Sequence, residues 1–276
     1  MICVLANTIT IFIRSLRVSE KIIKYADDLT IFTTICKSES TTVGRGQKTT
    51  TNMKINSAAA ETLEWCMRNH MTLNTSKTKQ MVISLRDDVR LTNPVKIGDD
   101  EIERVNTFRL LGVHIDEHLN FHHHVNDIVE RSHTKYHALQ LLKRYGVNTS
   151  GLCQYYSSII RTLLSYACQA WFPSLTDYDI KKLEGIQRRC LKAIFPKLDH
   201  YSERLSQSKL PTLETFMSNL CSQYSAKVIN DPNHRLSHLV PSRQSQHRHS
   251  ARLTDTLIKG HRTESMKNTI FYKYGV

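Results

Sequence analysis

A chain of 276 residues, 40% hydrophobic and 23% charged, is long enough to bury a sizeable core and too apolar for a disordered polymer, so a soluble globular protein of more than one typical domain is expected. Lys and Arg total 38 against 25 acidic residues, giving +13 and a pI near 9.5. That surplus points to a polyanionic partner such as nucleic acid, the alternative being a generally basic solvated surface. The cysteines Cys3, Cys36, Cys66, Cys153, Cys168, Cys190 and Cys221 are an odd set with no C-x-x-C pair. They read as reduced core thiols in an intracellular compartment rather than a disulfide framework.

The opening MICVLANTITIFI is apolar, but it is too short to span a bilayer and has no basic residue before Arg14, so neither a membrane segment nor a secretory signal is expected. Ile9 to Leu16 reads equally as helix or strand. EKIIKYADDLTIFTTI has β-branched and aromatic residues on both sides of Ala26-Asp27-Asp28, the pattern of a strand–tight turn–strand hairpin. The polar stretch 37–52, with Gly44 and Gly46, reads as a flexible loop. NSAAAETLEWCMRNH follows as a helix, with Ser57 as N-cap and Ala60, Leu63 and Met67 as its apolar stripe. A strand is expected from Gln80 to Leu85, then short strands about Gly98-Asp99-Asp100 and a bend at Gly112.

Past Asp116 the period changes from two to 3.6. Val125, Ile128, Ser132, Leu139 and Leu142 mark one helix, ended by RYGVN. Leu152, Tyr156, Ile159, Leu163, Tyr166 and Ala170 step down a second, closed by Pro173. A third opens at Thr176 or Asp177 and buries Ile180, Leu183, Cys190, Leu191 and Ile194, and LPTLETFMSNLCSQYSAKVI is a fourth. His122, His123 and His124 begin the first of these helices. Consecutive helical side chains diverge, so they read as surface histidines and not as ligands of one ion. The tail, 242–276, is polar and basic, includes His247 and His249, and is expected to be mobile. No internal repeat is visible.

Asp27 and Asp28 carry the chemistry. Two carboxylates at a hairpin tip repel, and one takes up a proton unless a cation lies between them. Mg²⁺ prefers a few carboxylate oxygens together with phosphate oxygens and water, the setting of nucleotide transfer. A plain polar turn is the competing reading. The surrounding sequence favours the first. IIKYADDLTIF resembles the catalytic hairpin of reverse transcriptases in the form found in non-LTR retrotransposons. In order after it, LEWCMRNHMTLNTSKTKQMVIS resembles the palm helix–turn–strand that follows the hairpin, and FRLLGVHID resembles the strand pair supporting the primer end. IIRTLLSYACQAWFPSLTDYDIKKLEGIQRRCLKAIF is similar to the helical thumb and connection region, and LPTLETFMSNLCSQYSAKVINDPNH to the helix that commonly follows it.

The resemblance implies an α+β fold: a partial right-hand polymerase palm over 1–116, an all-α thumb and connection region over 117–241, and the tail. It implies an RNA-directed DNA polymerase working by two-metal transfer with Mg²⁺ or Mn²⁺, on an RNA template, a DNA primer and dNTPs, in cytoplasm or nucleus and without a membrane. Asp27 would be the principal metal ligand and Asp28 a second. Tyr25 and Ala26 would floor the primer end, and Lys77 matches a lysine that protonates departing pyrophosphate. Leu110, Leu111, Gly112 and Val113 would hold the primer backbone, Gly112 allowing close approach. Lys181, Lys182, Arg188, Arg189 and Lys192 lie mainly off the apolar stripe of the third helix and suit duplex phosphates.

The family also needs an aspartate from a strand well upstream of the hairpin, and nucleotide-gripping fingers. ITIFIRSL resembles the end of the helix before the hairpin, with Arg14 and Ser15 where the family usually has Asn-Asp. The expectation is therefore a C-terminal fragment, inactive and poorly soluble alone. Two other readings stay open: a non-catalytic basic nucleic-acid-binding remnant, and a translated relic without a selected role. No protein partner is indicated.

Overall fold

The β-branched and aromatic segments KIIKY and DLTIFTT pair as antiparallel strands, β2 (Lys21–Tyr25) and β3 (Asp28–Thr34). In this computed structural model the described residues are 2–8, 21–25, 28–34, 49–83, 95–237, 240 and 270–274. Tyr25 faces Asp28 across the ladder, so Ala26 and Asp27 fall at the bend, outside the described residues. The opening ICVLANT forms β1 (Ile2–Thr8), a strand that no sequence signal announced. It carries neither charge nor proline and accepts ladders on both edges, pairing antiparallel with β3 and with β4 (Lys79–Ile83). The sheet order is β2-β3-β1-β4-β7, where β7 (Glu103–Arg104) runs parallel to β4. Residues 9–16, 37–48 and 241–269, with the expectations placed on them, lie outside the described set.

Helix α1 (Thr49–Arg68) packs on β3 and on the small hairpin β5 (Lys96–Ile97)–β6 (Asp100–Glu101). Ile31, Ala59, Cys66, Val95, Ile97 and Ile102 form the core between them. Two expectations change here. Thr49–Asn52 are helical instead of loop, and Ser57 lies inside the helix. With neither Gly nor Pro from Thr49 to Arg68, nothing stops the Ala-rich centre from propagating towards the N-terminus. The buried stripe is also one residue out of phase. Ala58, Ala59, Thr62, Trp65 and Cys66 face inward while Ala60 and Met67 are exposed, because burying the Trp65 indole outweighs burying Met67. Gly98, φ +63°, stands first in the two-residue β5–β6 turn, as a II′ turn requires.

The chain divides into two units, Met1–Leu119 and Asn120–Val276. The second is helical. Its first helix, α2 (His122–Arg144), buries His124, Val125, Ile128, Ser132 and Leu139. His124 is therefore not a surface histidine. It lies edge-on to the Trp171 ring at 5.1 Å between centroids, in the same phase as Ile128. Among the described helices none is long and apolar enough to cross a membrane.

The second expected helix is broken. It runs as α3 (Thr149–Tyr155), a π-helical turn (Tyr156–Ile160), α4 (Arg161–Ser165) and, after a left-handed Ala167, α5 (Cys168–Trp171). A π turn inserts one residue and rotates everything beyond it. The buried positions become Leu152, Tyr156, Ile160, Leu164, Cys168 and Trp171, leaving Ile159 41% and Tyr166 53% exposed. A 3₁₀ turn at Phe172–Ser174 leads to Thr176, whose hydroxyl accepts from Asp179 N at 3.3 Å and caps α6 (Asp177–Ile194). Next come α7 (Tyr201–Ser208), a helix no apolar period had marked, and α8 (Leu213–Asn230). At the end of the expected tail Ile270–Tyr274 forms a short helix, α9, packed on α8, with Lys273 Nζ donating to Pro173 O at 3.1 Å.

Cys190, fully buried on α6, has its thiol pushed up to about 12 by burial. Its folded-state value lies above the ordinary 9.0, so this contribution to stability is complete below about pH 9 and fades as pH rises towards 12. Urea midpoints taken from pH 7 upward should fall across that window, and less so in Cys190→Ala. The π turn has its own test: Ile160→Ala should cost about 2–5 kcal/mol and Ile159→Ala under about 1 kcal/mol, both read by urea unfolding. Equal losses would contradict the phase shift.

Candidate functional site

The register of the sheet decides what meets at the Asp27–Asp28 bend. Asp28 pairs with Tyr25 on β2 and with Thr8 on β1, and two residues back along β1 Ala6 pairs with Lys79, the first residue of β4. The bend and the start of β4 therefore lie at one end of the sheet, about 10 Å apart across the strands and about 7 Å along them. The turn that delivers β4 is built by Asn74, whose side-chain oxygen accepts from Ser76 Oγ at 2.7 Å and Lys77 N at 3.0 Å. Thr78 donates its hydroxyl and its N–H to Asn74 O, at 2.9 and 3.1 Å. An Asx turn of this kind needs only N-T-S-K-T, and it leaves the Lys77 side chain exposed. So Asp28 and Lys77, 49 positions apart in sequence by subtraction of their numbers, share one edge of the fold.

Leu110 to Val113 form the bend between β8 (Thr107–Leu110) and β9 (Val113–Asp116). Leu111 and Gly112 have φ +47° and +86°, the paired positive values of a I′ turn. Val113 is buried and Leu111 is 40% exposed, so the bend offers an apolar knob above a glycine. This hairpin packs against β4 through β8. It is not brought beside Asp28 by the register.

In the second unit α6 carries a polar face at helical spacing: Tyr178, Lys181, Gly185, Arg188, Arg189 and Lys192, all exposed. Arg188 stacks 4.7 Å above the Tyr201 ring and Arg189 4.4 Å above the Tyr136 ring. The two guanidinia thereby lie over aromatic faces as cation–π pairs. Lys182 departs from expectation: it is half-buried and its ammonium donates to Asn126 Oδ1 on α2, so it fastens two helices. Gly185 is the other surprise. A Cβ added there would meet nothing within 4 Å, so packing does not require a glycine inside this helix. The stacking partners Tyr136 and Tyr201 sit on α2 and α7 and left no local mark in the sequence.

Among the described residues no group of three or more His, Cys, Asp or Glu is placed to hold a metal ion. β1, the strand beside Asp28, is spelled ICVLANT and contains no acid. The Asp27–Asp28 pair is thus not completed into a larger carboxylate cage by its neighbour in the sheet.

Comparison with known proteins relates the chain to the RNA-directed DNA polymerases of transposons. Over 133 residues, 48% of this chain, it is 30% identical to a protein of Drosophila melanogaster described as probable RNA-directed DNA polymerase from transposon X-element. The matched stretch spans 14% of that relative. No family model matches the chain, and no solved structure matches it.

If Gly185 is not there for packing, Gly185→Ala should stabilise the fold by about 0.5–1 kcal/mol, the usual cost of glycine inside a helix. A denaturation midpoint that falls instead would reveal a close contact at that position.

Proposed function

We propose that this chain supplies the palm hairpin and the thumb of a retrotransposon reverse transcriptase, and that on its own it grips an RNA–DNA duplex without extending it. The observation that carries the reading is the 30% identity with the transposon polymerase. The antiparallel β2–β3 hairpin with Asp27 and Asp28 at its bend, and the basic face of α6, support it. In an intact enzyme of this class, Asp27 and Asp28 would help hold Mg²⁺ or Mn²⁺, which would supply activation of the primer hydroxyl and charge stabilisation of the leaving pyrophosphate of a dNTP. Asp27 and Asp28 fit two ligands of such a site. The acid-free β1 leaves the described sheet short of the rest, and no transfer step is assigned to these residues. Lys77, at the same end of the sheet as Asp28, is in the proposed role a proton donor to pyrophosphate. Tyr25 and Ala26 would floor the primer end, and Leu110 to Val113 would steady its backbone.

Duplex binding is the role of the second unit. Lys181, Arg188, Arg189 and Lys192 are exposed along one helix, and phosphates bound by such a set are read without regard to sequence. A second reading, a nucleic-acid-binding protein with no part in catalysis, is favoured by one fact: this face lies in a different unit from the acids.

Primer extension with the purified chain in Mg²⁺ or Mn²⁺ should yield no template-dependent product; a product would overturn the inactive reading. Anisotropy titrations with an RNA–DNA duplex should show affinity falling steeply with salt. Lys181→Ala and Lys192→Ala should each lower the salt slope by about 1 and weaken binding to all sequences alike. Replacing Asp27 and Asp28 by Asn should leave duplex affinity unchanged. Salt-independent binding, or none, would remove the duplex role.

A further inference from the structure

Gly185 sits mid-way along α6 (Asp177–Ile194), which runs unbroken across it. Glycine inside a helix is destabilising relative to alanine, so its presence calls for a reason. Three ordinary reasons fail. Its backbone is not left-handed, since among the described glycines a positive φ is confined to Gly98, Gly112 and Gly146. It does not end the helix. Nor does it make room for a neighbour, because an added Cβ would meet nothing within 4 Å. What remains is room for something that approaches from outside. The surroundings give its chemistry. On a helix surface the neighbours of a residue are those three and four positions away. For the exposed Gly185 all four are cationic: Lys181, Lys182, Arg188 and Arg189. Lys182 is tied to Asn126 and lends its charge from a fixed position. Arg188 and Arg189 each lie over a tyrosine ring. The adjacent acid, Glu184, has its carboxylate oxygens engaged by Leu213 N, Glu214 N and the Tyr201 hydroxyl.

We propose that the bare surface at Gly185 is the seat of one backbone phosphate of the bound nucleic acid, ringed by Lys181, Lys182, Arg188 and Arg189. A phosphodiester carries one negative charge on oxygens that accept from several donors at once, and guanidinium and ammonium groups are its usual partners. A side chain at position 185 would stand at the centre of the ring and hold the phosphate away from all four cations. Its absence lets the strand come down onto the helix. A phosphate held there fixes where the strand crosses α6 and carries no information about the bases. The seat rests on the duplex role proposed for this face, and adds to it the point of closest approach.

The test fills the seat in the full-length chain with Gly185→Leu, leucine being a strong helix former that offers no donor. Urea unfolding should give a midpoint at or above that of the wild type. Anisotropy titration with an RNA–DNA duplex should show affinity about tenfold weaker, the loss of one charge-assisted contact. The salt slope should fall by about 1, one phosphate fewer being neutralised. Gly185→Ala should move stability and affinity in the same directions, with a smaller loss of binding. A glycine kept for the fold alone would not set stability and affinity against each other. Should the wild type bind with a steep salt dependence, and Lys181→Ala weaken it while Gly185→Leu binds as tightly as the wild type, the seat is overturned and the duplex role stands. Should the wild type not bind the duplex, both fall. If Gly185→Leu does not fold, Gly185→Ala decides by the same comparison.

Discussion

A helix that starts inside a protein leaves backbone N–H groups without partners, and the helical unit is arranged around how α8 meets that demand. The Glu184 carboxylate, carried by α6, accepts from Leu213 N at 2.9 Å and Glu214 N at 3.2 Å. An anion at this end also suits the helix dipole. Thr212 completes the cap by accepting from Thr215 N at 3.2 Å. The other Glu184 oxygen accepts from the Tyr201 hydroxyl on α7. One turn along α6, Gln187 donates to Tyr201 Oη at 2.8 Å and to Pro211 O at 3.0 Å, and accepts from Tyr156 Oη at 2.5 Å. A buried polar cluster stabilises only when all its members are matched. Here matching them fixes α6, α7, the entry to α8 and the π turn in one geometry.

The π turn follows from the same constraint. Tyr156 must present its hydroxyl to Gln187, while Ile160, Leu164 and Cys168 must face the interior. A regular helix continuing from Tyr156 would bring Ile159 and Leu163 round instead, and the extra residue reconciles the two demands. Periodicity in the sequence could not reveal this, since both phases satisfy a 3–4 step. What it did carry were the features set by local chemistry: the β2–β3 pairing around Tyr25 and Asp28, the Thr176 cap, the stop at Pro173 and the bend at Gly112. Helix α7 escaped because its buried residue is Arg204, which donates to the carbonyls of Leu198 and Asp199. A helix fastened by a guanidinium leaves no apolar stripe to read.

The candidate site divides along similar lines. Residue type was readable at the bend, where paired acids between apolar strands mark chemistry or a polar turn. Position was not. Only the ladder shows that Thr8 stands across from Asp28 and that the Lys77 turn shares its end of the sheet. Among the described strands, the one in β1's place is the neighbour able to set a further acid beside β3's first residue, since the other presents Tyr25. The identity of that strand therefore decides how many carboxylates the described sheet can offer beside Asp28.

The positive surplus is likewise not spread evenly over what it might bind. Lys182 is committed to Asn126, and Lys79 to Glu103, so neither is a loose cation. Arg188 and Arg189 look committed too, each lying on a tyrosine ring. A cation–π contact, however, uses no N–H donor in a hydrogen bond to an acceptor atom, so those donors are not spent on the ring. The side-chain entropy that an anion would otherwise have to remove is already lost on folding. Held this way, the two arginines on α6 are positioned before any ligand arrives, in keeping with the duplex role proposed for this face, and Tyr136 and Tyr201 contribute by supporting them. That arrangement links the buried cluster to the basic face, because Tyr201 serves both: its hydroxyl closes the Glu184–Gln187 cluster and its ring carries Arg188.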